Sequence, residues 1–351
     1  MLAPVTHILP VTIIRRERVL PTPGRVVVRR GQRVNPVDAI AEANLNPEHI
    51  LFDLARGLGI RSSEIKQYIQ CGAGENVSEG DILAGPVGVA RRVVRATHSG
   101  RVILIRDGKL LLEIESPPFV LRAGLQGVVS SLIPERGAII ESTGALIQGV
   151  WGNGRVDYGL LHVLAKNPEE LLTSDHLDVS IRGSVIMAGF CGEAETLQTA
   201  GELPLRGLIL SSMASSLIPL ANKMEYPIIV LEGFGLLPMN STAFNLLSTS
   251  HRREISLNAE KMDRFANTRP EIVIPLPTAE NATEPRESLV FSTDQRVRIV
   301  RAPYKSQIGT IKTLRPGMKV PPSNVRAPAA EIGLESGETV VLPLANLEVL
   351  A

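Results

Sequence analysis

"GQRVNPVDAIA", residues 31 to 41, and "GENVSEGDILA", residues 74 to 84, both fit the pattern G-x-x-V-x-x-x-D-x-[IL]-A. Self-similarity of this kind marks a structural unit used twice. Side chains of an extended chain alternate between faces, so Val34, Ile40, Val77 and Leu83 are expected to point inward from two equivalent halves of one barrel. A looser echo links "GRVVVRRG" at 24 to 31 with "GRVILIRDG" at 100 to 108, each an alternating strand between glycine turns. Between the two copies, Ile50, Leu51, Leu54, Leu58, Ile65 and Ile69 approximate one helical face, which predicts a helical insertion over about 47–70.

Working outward, "PGRVVVRRGQRVNPVDAIAEA" resembles the first half of a biotinyl/lipoyl-type barrel-sandwich hybrid, and "EGDILAGP" with "ATHSGRVILIRDG" resembles the second half. The same module occurs in biotin carriers, in multisubunit RNA polymerase and in the C subunit of the ion-translocating ferredoxin:NAD oxidoreductase. The resemblance covers roughly residues 12 to 116 and implies a barrel-sandwich domain over 1–126. Carriers of this type hold their cofactor through an amide to a lysine on an exposed hairpin. Here no lysine precedes Lys66, and none lies between Asp81 and Gly108. No cofactor is therefore expected, and the barrel reads as a scaffold or docking surface. Its first strands are basic, with seven arginines between Arg15 and Arg33 and Glu17 the only acid among them.

At 351 residues the chain exceeds what one hydrophobic core usually serves, so two to four domains are expected. Apolar residues make up 44% but aromatics only 3%, and the dominance of Val, Ile, Leu, Gly and Pro favours many short strands. Cys71 and Cys191 stand far apart and the six histidines lack ligand spacing, so neither a disulfide framework nor a metal site is expected. The N-terminal apolar run is broken by Pro4 and Pro10 and has its positive charge behind it, unlike a secretory signal. No stretch is long and apolar enough to span a bilayer, so a cytoplasmic location without membrane contact is expected. Charge is uneven: residues 135–263 hold 9 basic and 15 acidic side chains, whereas 1–134 hold 17 and 12.

Residues 127–180 alternate apolar runs with turns, a β-rich connecting segment. Within it "ALIQGVWGNGRVDYGLLHVL" reads as a hairpin turning at Asn153-Gly154, a pair suited to positive φ. Over 181–265, "SVIMAGF", "LRGLILSS", "YPIIVLEG" and "REISLN" are strand-length apolar runs separated by helical candidates at about 192–201, 214–223 and 240–249. That rhythm predicts a small Rossmann-like parallel α/β domain. Ligands in such sheets bind beyond the C-terminal strand ends. Gly192, Ser212, Ser215, Glu232, Gly233, Gly235 and Asn240 are therefore candidate ligand residues, where helix-start N–H groups could hold an anion. No dinucleotide, Walker, nucleophile-elbow or zincin pattern is present, so no catalytic residue is assigned.

The Pro-, Thr- and Glu-rich stretch within 266–289 has the composition of a linker. Beyond it, "DQRVRIVRAPYKSQIGTIKTL" and "SGETVVLPLANLEVL" resemble a KOW module, the SH3-like barrel of NusG-type elongation factors and some ribosomal proteins, which implies such a barrel over 290–351. Residues 296–330 carry eight Lys and Arg and no Asp or Glu. Alternation puts Arg296 and Arg298 on one strand face and Val297 and Ile299 on the other. With Arg301, Lys305 and Lys312 they are expected to form an exposed patch for phosphates or for a protein partner. Tyr304 is the strip's only aromatic, which favours backbone contacts over base stacking.

The fold expected is thus multidomain, α/β plus all-β: barrel-sandwich hybrid, β-rich connection, Rossmann-like domain, linker and KOW barrel. The expected function is that of a non-enzymatic adaptor on RNA, DNA or a nucleoprotein machine of transcription or translation. The alternative is an accessory subunit or small-ligand-binding regulator using the α/β loops, with the KOW barrel as a protein dock.

Overall fold

The computed structural model describes residues 2–44, 48–114, 118–263, 268–276, 282–286, 289–320 and 325–351; the side chains of 318–320 and 325 lie outside the description. The chain is mostly β, with few helices, in several sheets. It begins with β1 (Val5–Thr6) and the long β2 (Ile8–Val19).

The repeat has a common hydrogen-bonding scheme. Each copy opens on a glycine at positive φ, 81° at Gly31 and 89° at Gly74, a conformation that costs glycine nothing. Asp38 then accepts the backbone N–H of Asn35 at 2.8 Å, as Asp81 accepts that of Ser78 at 2.7 Å. Val34 pairs with Gly127, and Val77 pairs with Gly100. A Cβ at Gly127 would lie 2.5 Å from the Glu141 carbonyl oxygen, and one at Gly100 would lie 2.1 Å from that of Glu113, so both glycines permit close approach of a third strand. The structural partner of Gly100-Arg101-Val102 is therefore Gly127-Val128-Val129, not Gly24-Arg25-Val26 as the sequence echo suggested. Removing the turn carboxylate by Asp38→Ala or Asp81→Ala should cost about 1 kcal/mol in either copy. Urea titration checks this, and clearly unequal losses would mean that the copies are not energetically equivalent.

The four inward residues are buried, but in two cores. Val34 and Ile40 pack with Ile14, Val129, Ile140 and Leu146, whereas Val77 and Leu83 pack with Leu54, Leu58, Val102 and Leu110. The expected helical insertion opens as a strand, His49–Asp53, which places Ile50 and Leu51 opposite Leu112 and Leu111, and its helical part is two short pieces, the second a 3₁₀ turn over Ile65–Tyr68. Only Leu54–Leu58 is α-helical, ending at Gly59 with φ 71°. Leu45, Asn46 and Pro47 lie outside the described residues.

The centre is one large sheet. Its strands are β3 (Gly127–Ile133), β4 (Gly137–Gln148), β5 (Trp151–Gly152), β6 (Val156–Val163), β7 (Ser184–Cys191), β8 (Gly207–Met213), β9 (Ile228–Phe234), β10 (Glu254–Asn258) and β11 (Glu271–Pro275). Strands β6, β7, β8 and β9 are parallel neighbours; α1 (Ala194–Glu202) connects β7 to β8, α2 (Ile218–Ala221) connects β8 to β9, and α3 (Ser241–Ser248) follows β9. The run "REISLN" is not a parallel member: β10 lies antiparallel between β6 and β11, and β11 pairs with β4. The sheet then closes on itself. Past Gln148, Gly149 N–H donates to Pro270 and Val150 N–H to Val230, and β5 pairs with β9. A Cβ at Gly149 would lie 2.8 Å from the Val230 carbonyl oxygen, which is why the bend falls there.

Ile147, Leu161, Met187, Ile209, Ile229 and Ile272 fill the inner side of this ring, joined by Ala243 and Leu247 of α3. The alternate residues Ile186, Leu208, Leu210, Ile228 and Val230 meet α1 and α2 outside. Burial on both faces explains the near-continuous apolar runs. The expected Asn153-Gly154 hairpin is absent, since β10 and β11 separate β4 from β6. Asn153 is instead a buried pin, donating to Ala221 and Tyr226 carbonyls and accepting from Ile228 N–H. Segment 127–180 and domain 181–265 share this one sheet, and the expected linker contains β11, whose Ile272, Val273 and Ile274 are buried.

The C-terminal sheet comprises β12 (Arg296–Ile299), β13 (Ile308–Val320), β14 (Val325–Leu334), β15 (Thr339–Pro343) and β16 (Leu347–Leu350), in the order β1-β16-β12-β13-β14-β15. The first residues of the chain complete it: Val5 and Thr6 pair in parallel with Val349 and Leu350, and Ala3 enters the core beside Phe291, Val297 and Val349. Among the described residues, no helix is long and apolar enough to cross a membrane.

Candidate functional site: an ionic junction and a charged cleft

Arg298 turns toward the central sheet, not toward solvent, whereas Arg296 on the same strand face stays exposed. Arg298 is 3% exposed. One guanidinium nitrogen donates to Glu232 Oε2 at 2.8 Å and to the Leu231 carbonyl at 3.3 Å; another donates to Glu348 Oε2 at 2.7 Å. Glu348 Oε1 accepts from Arg269 at 2.9 Å and from the Thr6 hydroxyl, and Glu232 Oε1 accepts the Asn240 N–H at 3.0 Å. This network joins β1, β9, β12 and β16, so the chain's beginning, middle and end meet at one buried point. Burial works against the Glu348 carboxylate, but the Arg298 charge, the Thr6 hydroxyl and Arg269 outweigh it and hold the pKa down at about 2. Burial likewise works against charged Arg298, and the two carboxylates overcome it and raise its pKa.

The other cations of the expected patch divide. Arg296 is exposed at the same junction, donating to Thr242 of α3 at 3.0 Å and to Glu335 at 2.8 Å. Arg301, Lys305 and Lys312 are exposed, with Lys312 donating to Thr339 Oγ1 at 2.9 Å. Lys305 Nζ lies 4.0 Å from the place a Cβ would occupy on Gly233, so this loop leans over the end of β9. Arg296 and Arg298 thus hold two parts of the chain together, and of the five expected cations Arg301, Lys305 and Lys312 remain exposed outside the junction.

The α/β loop residues do not converge on open space. Ser212 Oγ donates to the Leu237 carbonyl at 2.8 Å and accepts its N–H at 3.1 Å. Asn240 caps α3 by accepting the N–H groups of Thr242 and Ala243, and Glu232 is engaged by Arg298. Gly233 and Gly235, at φ 133° and 100°, shape the turn between them. Gly192 lies against the Phe190 ring, and Ser215 is exposed at the start of a 3₁₀ turn. None of the seven lines the large cleft.

That cleft, of about 580 Å³, opens between β2 and the ends of β4, β10 and β11. Among the described residues, four arginines line it: Arg15, Arg16, Arg18 and Arg269. Arg16 grips Glu271 through two bonds, 2.8 and 2.6 Å, and Gln148 donates to the same carboxylate at 2.8 Å. Arg18 pairs with Glu260 at 2.8 Å. His7 is buried in the wall, where desolvation first and the Arg16 charge second push its pKa down to about 4, leaving the ring neutral near pH 7. Its Nδ1 has no hydrogen-bond partner, and neither does Oδ1 of buried Asn258. Sequence reasoning marked the arginines of β2 as a basic edge but missed the cleft, because Arg16 and Glu271 are 255 positions apart.

Among the described residues, no three His, Cys, Asp or Glu side chains are grouped to hold a metal ion. Cys191 is buried, and desolvation pushes its thiol up to about 11, far from a reactive thiolate. No protein-family model matches the chain, and no curated protein matches it either.

Proposed function

We propose that the chain is a non-catalytic cytoplasmic adaptor for nucleic acid or a nucleoprotein machine. In this reading a KOW-type barrel is carried by a Rossmann-like centre and a barrel-sandwich-like N-terminal part. The observation that supports it is the exposure of Arg301, Lys305 and Lys312 in a stretch without acids, outside the buried junction. Three cations without an aromatic platform suit duplex phosphates rather than splayed bases. The loops beyond β8 and β9 give less support to a small-ligand regulator working there, because Ser212, Glu232 and the Asn240 side-chain oxygen are already engaged, although the buried Asn240 amide nitrogen has no partner.

The test is binding of full-length protein to an RNA duplex across a salt series; the full chain is needed because β1 completes the C-terminal sheet. About three neutralised phosphates give a slope of log affinity on log salt near −3. Arg301→Glu with Lys305→Glu should weaken binding to all sequences alike and flatten the slope by about 2. Absent binding at low salt, or an unchanged slope in the double variant, would make the barrel a protein dock.

A further inference from the structure

Strands His49–Asp53, Gly100–Arg106 and Lys109–Ile114 form one antiparallel sheet over the core of the second repeat copy. Phe52, Val102, Leu110 and Leu112 close its inner face. On the outer face Leu51 stands opposite Leu111, and Leu111 opposite Leu104, a row of leucines that crosses all three strands. Leu51 is 59% exposed and Leu104 51%, and a register shift between Val102 and Leu104 adds exposed Ile103 at the same end. The solvent side of an antiparallel sheet ordinarily alternates to polar residues, so an apolar row there marks a contact surface.

The charges beside the row alternate in sign. His49 and Asp53 flank Leu51 at two residues on either side, and Lys109 and Glu113 flank Leu111 in the same way. The strands run antiparallel, so His49 and Glu113 share one side of the row while Asp53 and Lys109 share the other. Their own contacts leave these groups available. His49 and Glu113 approach only to 3.6 Å with both side chains more than a third exposed, Asp53 uses one oxygen to accept the Arg56 N–H, and exposed Lys109 has no hydrogen bond or ion pair among the described residues. A two-fold axis along the row turns the pattern onto itself with the signs opposed, setting Lys109 against Glu113 and His49 against Asp53 of another copy. An axis along the strands would instead set Lys109 on Lys109 and Glu113 on Glu113. Arg101 and Arg106 are the exception, like charges at the two ends of the third strand, and each already has an oxygen partner, the Gly74 carbonyl and Asp107.

We propose that this sheet face binds a second copy of the chain, face to face, across a two-fold axis running along Leu51, Leu111 and Leu104. Sheets packed in this way lie about 10 Å apart, which lets the opposed leucines interdigitate. The axis also brings two Lys109–Glu113 pairs together, one on each side of the leucine seam. Three short strands make a face smaller than that of a standard interface of about 1,600 Å², so the dimer is a weak one, with a dissociation constant of micromolar order. It leaves the cations of the C-terminal sheet free and does not depend on what they bind.

Analytical ultracentrifugation of the full-length protein from about 1 to 500 μM tests this. Wild type should pass from monomer to dimer across the series. Lys109→Glu and Glu113→Lys should each weaken the dimer at least about tenfold, since either one sets two pairs of like charges across the axis. An equimolar mixture of the two variants should regain wild-type association, because each supplies the sign that the other lacks. Rescue by mixing also shows that neither single loss comes from misfolding. A wild type that stays monomeric, single variants that associate as wild type does, or a mixture no stronger than its components would each overturn the assignment.

Discussion

Replacing Arg298 with methionine should cost about 3–5 kcal/mol of stability, because Glu232 and Glu348 would be left as buried carboxylates without their shared counter-ion. A surface cation on a barrel face would cost far less. Arg296, two residues earlier on the same strand face, supplies the comparison. Its pair with Glu335 is solvent-exposed, so Arg296→Gln should fall within about 1 kcal/mol of wild type. The loss at Arg298 should be partly recovered by adding Glu232→Gln, which removes one of the two stranded charges. Urea unfolding of the full chain reads all three variants. A loss below about 1 kcal/mol for Arg298→Met would mean that the junction does not hold the C-terminal sheet to the centre.

The contrast between these arginines shows what a linear sequence encodes here. Alternation along β12 correctly puts Arg296 and Arg298 on one face and Val297 and Ile299 on the other, with Val297 and Ile299 buried. Periodicity does not say what covers a face. Glu232 lies 66 residues away and Thr6 at the far end of the chain, and no local pattern links them to β12. The repeat was legible because its signal is local: a turn glycine, a buried valine and an aspartate that bonds the backbone three residues before it. Its returning strand was misread, since the glycines at 127 and 100 mark close approach of a third strand and not a shared run of side chains.

The central sheet divides along the same line. Strands β7, β8 and β9 announce themselves as apolar runs because both of their faces are covered. Strand β11 is equally buried, but its five residues stand between prolines beside a Pro-, Thr- and Glu-rich stretch, and composition outweighed pattern in the reading of a linker. The cleft was the least legible feature of all. Its walls come from β2, β10 and β11, elements brought together by the curl of one sheet, and only the arginines of β2 are clustered in sequence.

Acid should destabilise the folded chain in two stages that belong to two identified groups. His7 has a folded pKa of about 4 against an ordinary 6.5. Between those values the unfolded chain binds a proton that the folded chain refuses, so stability falls as pH drops through this window, by about 3 kcal/mol in all. Glu348 has a folded pKa of about 2 against 4.5. Its ionised form contributes stability that is fully present above 4.5 and is lost as pH falls toward 2, again by roughly 3 kcal/mol. Both effects have the same sign, and together they are a large share of the 5–15 kcal/mol typical of a folded domain. His7→Gln, which keeps a polar side chain but cannot titrate, should flatten the upper stage and leave the lower one. If wild-type stability is level from pH 6.5 down to 4, or if His7→Gln falls as steeply as wild type there, His7 is not held neutral by the cleft wall.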